Sequence, residues 1–267
     1  MKKHSFTLVE LLVVVAIIAI LAGLIIPAAG MAQTAAKRTA CLSNQGQVMK
    51  IMRAYMNDGD AQFLPGWHNS AANTYRWTKA LFAAGRIQDD VTVVRCPAII
   101  PTSDARIQKG ASTADAYGMI YSDLADAKKT RGINFKSTKA LKCGTGASAY
   151  MVAPNQLTLG GCSAIINGND QVVAQALINF NMTGPGSDAA VGRPALVHGD
   201  QTNVFFLDGH AENLTRTALH KKKYYTRVTD TDEREALPVG NSSDEAPAAS
   251  SDWMLDPDKG AAVSSGS

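Results

Sequence analysis

None of the four cysteines, Cys41, Cys96, Cys143 and Cys162, lies in a C-x-x-C pair, which excludes a zinc ribbon or a thioredoxin-like redox motif. The chain also lacks a G-x-S-x-G elbow, a phosphate loop and an H-E-x-x-H string. A hydrolase needs a nucleophile beside a base and an orienting acid, and the sequence offers no such constellation. The expectation is a protein that is not an enzyme and takes no cofactor. No internal repeat is present. Acids are missing from the first nine positions, and charge is nearly missing from residues 6–26, where Glu10 stands alone.

Roughly 20 consecutive apolar residues cross a hydrocarbon core as a helix, and residues 6–26 meet that length. A carboxylate near a bilayer centre costs a few kcal/mol or more, so such an acid marks a functional site and requires a partner. Lys2 and Lys3 precede the run. Positive residues beside a first span stay on the cytoplasmic side, so the remainder faces outward from a single-pass inner-membrane segment.

The string Lys2-Lys3-His4-Ser5-Phe6-Thr7-Leu8-Val9-Glu10-Leu11-Leu12 resembles the leader and start of type IV prepilins and type II secretion pseudopilins. The resemblance implies cleavage between Ser5 and Phe6 by a prepilin peptidase, followed by N-methylation of Phe6. Ser5 stands where the family usually has Gly; both are small. The resemblance also implies that Glu10 meets the Phe6 ammonium of a neighbouring subunit and sets register, because either charge left unpaired in a filament core is costly. Pro27 resembles a proline that pilins often carry about twenty residues into the mature chain, and it is expected to kink or open the helix. The competing cut lies before Gln33, where Gly30-Met31-Ala32 resembles the small-x-small site of a signal peptide. Against it, the run is longer than an ordinary h-region and contains an acid.

About 240 residues follow the span, enough for one globular head. The net charge of +3 hides an asymmetry: from Asp230 onward there are nine acidic residues against two basic, leaving +10 on the rest. That excess is spread, apart from Lys221-Lys222-Lys223, and a solvated strand edge or loop explains the run without nucleic acid. On the outward side disulfides are permitted. Four cysteines allow three pairings; Cys41 with Cys96 and Cys143 with Cys162 are favoured.

Past Pro27 the pattern turns amphipathic, with Cys41, Asn44, Val48, Ile51, Met52 and Tyr55 at helical spacing and Lys37, Arg38, Gln45, Lys50 and Arg53 around the other side. Asn57-Asp58-Gly59-Asp60 should end the helix. Residues 41–45 through 55–58, then Phe63-Leu64-Pro65, resemble the region after the helix in prepilin-like proteins of planctomycetes. Residues 77–84 read as a short helix with Trp77, Leu81 and Ala84 inward, and residues 91–95 as a strand. Strands are expected near 117–121, 149–153 and 157–166, and a strand or short helix at 172–179.

The second motif is His198-Gly199-Asp200-Gln201-Thr202-Asn203-Val204-Phe205-Phe206-Leu207-Asp208-Gly209-His210. Residues 203–207 are rich in strand formers, Asp208-Gly209 suits a two-residue type I′ turn, and residues 210–214 return antiparallel. Its spacing resembles the H-x9-D-G motif of domains associated with prepilin processing. His198, Asp200, Asp208 and His210 could in principle ligate a divalent ion, but the turn already employs Asp208 and His210. A hydrogen-bonded structural set is expected there, and no metal. Residues 229–267 are acidic and rich in Ser and Ala, and read as disordered, with Trp253-Met254-Leu255 as an apolar exception.

These readings combine into an α+β, pilin-like protein: a leader (1–5), a transmembrane helix (6–27), its amphipathic continuation (28–58), a head on an antiparallel sheet (59–228) and a tail (229–267). The resemblance implies a structural subunit of a type IV pilus-like or type II secretion pseudopilus filament. Its implied partners are prepilin peptidase, other pilin or pseudopilin subunits, the inner-membrane assembly machinery and membrane lipid. The competing reading is a membrane-anchored extracytoplasmic protein that binds a glycan or metal and does not assemble.

Overall fold

A computed structural model of the chain describes residues 7–58, 67–70, 73–87, 92–99, 116–120, 141–143, 150–166, 172–174, 177–178, 192–227 and 234–238. Ser5, Phe6 and Trp253-Met254-Leu255 lie outside them. The first element is one helix, α1 (Leu8–Asp58), of 51 residues. Thr7 and Glu10 start it as a capping box. The Thr7 amide donates to the Glu10 carboxylate at 2.8 Å and the Glu10 amide donates to the Thr7 hydroxyl at 3.3 Å, satisfying two amides that a helix start leaves open.

Val13-Val14-Val15 and Ile17-Ile18 have modest helix propensity in water. In hydrocarbon the backbone has only itself to bond, and a helix is then the solution for a lone segment. The helix runs on through Pro27, so of the kink or opening expected there, the opening is not found. By length and composition α1 is able to cross a membrane.

Two surfaces divide this rod. Through residue 37 its side chains are exposed, Leu11, Leu12, Ile18 and Leu21 among them. From there on one face is buried by Cys41, Gln45, Val48, Met49 and Met52. Gln45, expected on the outer side, belongs to the buried face because the head supplies it with polar partners.

Strands β1 (Trp67–Ser70) and β2 (Asn73–Arg76) form a hairpin leading into α2 (Trp77–Ala83). Trp77 and Leu81 are buried, whereas Ala84 is exposed. The strand expected at 91–95 is instead a 3-10 turn at Thr92–Val94. Its β-branched residues pack beside α1 rather than pairing, and the Val94 carbonyl accepts from the Tyr117 amide at 2.8 Å.

The other strands are β3 (Gly118–Ile120), β4 (Leu141–Cys143), β5 (Tyr150–Val152), β6 (Leu157–Gly161), β7 (Ser163–Ile166), β8 (Val172–Ala174), β9 (Leu177–Ile178), β10 (Arg193–Pro194), β11 (Gln201–Phe206) and β12 (Ala211–Thr215). A short helix, α3 (Arg216–His220), precedes β13 (Lys223–Arg227) and β14 (Arg234–Pro238). The main sheet has the order β12-β11-β6-β13-β14-β4-β5, with β3 also on β6 and β9 beyond it; β10, β7 and β8 form a smaller sheet. Most pairs are antiparallel, but β13 with β6, β14 with β4 and β3 with β9 are parallel.

The architecture is therefore α+β, a long amino-terminal helix laid on a sheet. One departure concerns the tail. Residues 234–238 lie in the segment expected to be disordered, yet they pair with β13 from Lys223↔Pro238 to Arg227↔Arg234. Local pairing with an adjacent strand overrides the average composition of the whole tail. Strand β11 is buried from Thr202 to Phe206, so Val204, Phe205 and Phe206 follow one another without polar alternation.

Candidate functional site

The deepest chemistry in the head lies where α1 meets the sheet. Cys41 projects from α1, Cys96 follows the 3-10 turn, Cys162 sits between β6 and β7, and His198 opens the turn before β11. All four are buried, and their ligand atoms lie within 4.8 Å of one another. The Cys162 sulfur is 3.4 Å from that of Cys41 and 3.4 Å from that of Cys96. His198 turns Nε2 toward the sulfurs, 3.4 Å from Cys96 and 3.5 Å from Cys162.

This convergence corrects the expected disulfides. Cys41, Cys96 and Cys162 are free thiols, so neither Cys41 with Cys96 nor Cys143 with Cys162 is joined. Three sulfurs share one small volume, a grouping that pairwise assignment of four cysteines does not contain.

Hydrogen-bond donors surround the sulfurs. The Tyr117 hydroxyl donates to the Cys41 sulfur at 3.4 Å and reaches its carbonyl at 3.3 Å. Gln45 Nε2 lies 3.7 Å from the Cys41 sulfur and 3.8 Å from that of Cys162, while donating to the Asn203 carbonyl at 3.1 Å. Burial pushes the Cys162 thiol and the Tyr117 hydroxyl well above their usual ranges. Trp77 closes the region from the far side, its indole N–H on the Tyr117 carbonyl at 3.1 Å.

The H-x9-D-G segment divides into two ends of one strand. Gly199 and Asp200 take φ of 70° and 53°, and the His198 amide donates to the Gln201 carbonyl at 3.1 Å. Positive φ at both central positions is the signature of a type I′ turn. At the other end the loop is Leu207-Asp208-Gly209. There only Gly209 has positive φ, 93°, with its amide on the Phe206 carbonyl at 2.9 Å and the Phe206 amide on the His210 carbonyl at 3.0 Å.

The expected I′ turn at Asp208-Gly209 is thus a three-residue loop ending in a left-handed glycine. The primed turn sits at Gly199-Asp200 instead. His198, Asp200, Asp208 and His210 do not gather: Asp208 and His210 pair at 2.5 Å with His210 stacked on Phe206 at 4.3 Å, whereas His198 joins the cysteines. The partners of His198 lie 36 and 102 residues away in the chain, so the local motif does not disclose them.

The amino-terminal site is simpler. Glu10 is exposed on the apolar rod and bonded to the Thr7 hydroxyl at 2.7 Å as well as to its amide. Among the described residues, the hydrogen bonds of its carboxylate go to Thr7 alone. Comparison with known proteins bears on this end: a family model for the prokaryotic N-terminal methylation motif matches residues 1–26. The match indicates a type IV pilin or pseudopilin-type precursor. No curated protein and no solved structure matches the chain. The match covers the leader, Glu10 and most of the exposed apolar stretch, and it suggests a structural protein anchored through α1 in the inner membrane.

Proposed function

We propose that this pilin-type precursor is a structural subunit of a type IV pilus-like or type II secretion pseudopilus filament. In this reading prepilin peptidase cuts between Ser5 and Phe6, Phe6 is N-methylated, and the inner-membrane machinery extracts the subunit from lipid into the filament. The observation that carries the reading is the first half of α1. An apolar surface with a single carboxylate, exposed along its whole length, has two suitable environments, lipid and a bundle of like helices.

Moving from the first to the second keeps the apolar surface out of water. It also gives Glu10 what lipid does not, the ammonium of a neighbouring Phe6. The pairing discriminates between staggers, because every other register leaves a charge without a partner. The head remains outward, and its β-sheet surfaces and loops are what the filament presents.

The test is site-specific photocrosslinking in the native host, with the crosslinking residue placed at Leu12 and at Ile18. Products joining copies of the chain at fixed positions, lost when the inner-membrane assembly machinery is removed, are expected. Crosslinks to lipid alone would contradict assembly and leave the membrane-anchored binding protein as the reading.

A further inference from the structure

We propose that Cys41, Cys96, Cys162 and His198 bind one zinc ion in a closed tetrahedral site that joins α1 to the head. The inference goes beyond the filament reading and holds whether or not the chain assembles.

The donor set and its spacing carry it. Structural zinc takes four thiolate or imidazole ligands in a tetrahedron, with sulfur at about 2.3 Å and nitrogen at about 2.0 Å. Those lengths give sulfur–sulfur edges of about 3.8 Å and sulfur–nitrogen edges of about 3.5 Å. The observed edges are 3.4 Å for both measured sulfur pairs and 3.4 and 3.5 Å from Nε2 to sulfur. These four edges lie within a few tenths of an ångström of a zinc tetrahedron's, and the other two, from Cys41 to Cys96 and from Cys41 to His198, are within 4.8 Å.

A disulfide fits the same atoms poorly. Cys162 is equally near two sulfurs, so joining one pair strands the third thiol in a buried site. Bond formation also requires closure to about 2.0 Å.

The surroundings suit the charge that such a centre carries. Binding displaces the thiol protons to solvent, and three thiolates around Zn²⁺ leave a net charge of −1. The Tyr117 hydroxyl and the Gln45 amide point at sulfur, and hydrogen bonds of this kind hold metal ligands in place and offset their charge. His198 presents Nε2 to the sulfurs, while its buried Nδ1 has no partner among the described residues. With all four positions supplied by protein and the cluster buried, no position is open for substrate, which marks a structural site. Three thiolates with an imidazole favour zinc over harder ions.

The geometry also explains the spacing of the H-x9-D-G segment. Its nine intervening residues are the primed turn Gly199-Asp200, the six residues of β11 and Leu207. His198 is the metal end of that strand and Asp208-Gly209 is the end that turns into β12. The ion would tie four distant parts of the chain together, including the helix that leaves for the membrane.

The test uses the full chain, purified from membranes in detergent without a metal-affinity tag. Elemental mass spectrometry should find one zinc per chain, and Cys41, Cys96 and Cys162 should resist alkylation until a chelator removes it. Replacement by Co²⁺ should give the thiolate charge-transfer and visible bands of a tetrahedral site. His198→Ala should lower zinc content at least tenfold; if that variant does not fold, the cobalt spectrum and alkylation pattern of the unaltered chain still decide. Less than one-tenth zinc per chain after incubation with Zn²⁺, an octahedral cobalt spectrum, or a disulfide between any two of the three cysteines in protein from the native host would overturn the proposal.

Discussion

The Arg53 guanidinium on α1 donates to the carbonyl of Asp208, so the last turns of the long helix grip the tip of the β11–β12 hairpin. Gly209 lies directly beneath that contact: a methyl group on it would come within 2.7 Å of the guanidinium carbon. The guanidinium is the mobile end of a flexible side chain and is able to move aside, whereas φ of 93° is fixed by the loop.

Backbone strain should therefore dominate at this position. Gly209→Ala is expected to cost about 1–2 kcal/mol, the usual penalty for a Cβ in a left-handed conformation. Gly209→Asn, whose side chain tolerates that region better, should lose less although it meets Arg53 equally. Thermal unfolding of the detergent-solubilised variants measures both, and equal losses would point to the Arg53 contact instead.

Gln45 is a polar residue in the apolar seam between α1 and β11. The Asn203 carbonyl that it bonds also accepts from the Cys162 amide at 2.9 Å, so it keeps a partner when Gln45 is removed. Gln45→Met should therefore cost only about 1 kcal/mol, near the net worth of one hydrogen bond. A loss of several kcal/mol would show that Gln45 supports the sulfurs more than the carbonyl.

Glu10 has two separable roles, capping the helix with Thr7 and carrying charge. Glutamine also serves at this capping-box position, so Glu10→Gln should keep the helix start and membrane insertion while losing the charge. Filament incorporation is expected to fall as far as in Glu10→Ala, read by immunoblotting of sheared filaments against membranes. Wild-type incorporation of Glu10→Gln would show that register does not depend on the carboxylate.

The two carboxylates of the H-x9-D-G segment stand apart from the cysteine cluster. Asp200 is in a left-handed turn position that asparagine also accepts, and Asp208 is bonded to His210. Asp200→Asn and Asp208→Asn should thus retain the zinc content of the unaltered chain, whereas His198→Ala should not. Elemental analysis of the three variants distinguishes this arrangement from a carboxylate site.

Patterns local in sequence gave most of the fold. The apolar period marked α1, Trp77 and Leu81 marked α2, and the strand formers of 203–207 marked β11. Where partners are distant, local signals failed. The β-branched residues 92–94 pair with no strand among the described residues and coil into a 3-10 turn. Gln45 reads as a surface residue until the Asn203 carbonyl and the Cys162 sulfur appear opposite it. The cysteine cluster was the least legible feature, because Cys41, Cys96, Cys162 and His198 come from four separate elements with no short spacing between them. The available signals were Cys41 in the apolar stripe of α1, Cys96 just after an expected strand, Cys162 within the expected strands at 157–166, and His198 at the head of the second motif.

Processing as a pilin-type subunit would leave its mark at the amino terminus of the mature protein. Mass and amino-terminal sequence of the protein recovered from its native host should show N-methylated Phe6, with residues 1–5 removed. A mature chain beginning at Met1 would make α1 an uncleaved anchor, and one beginning at Gln33 would make its apolar half a discarded signal; either result contradicts the account.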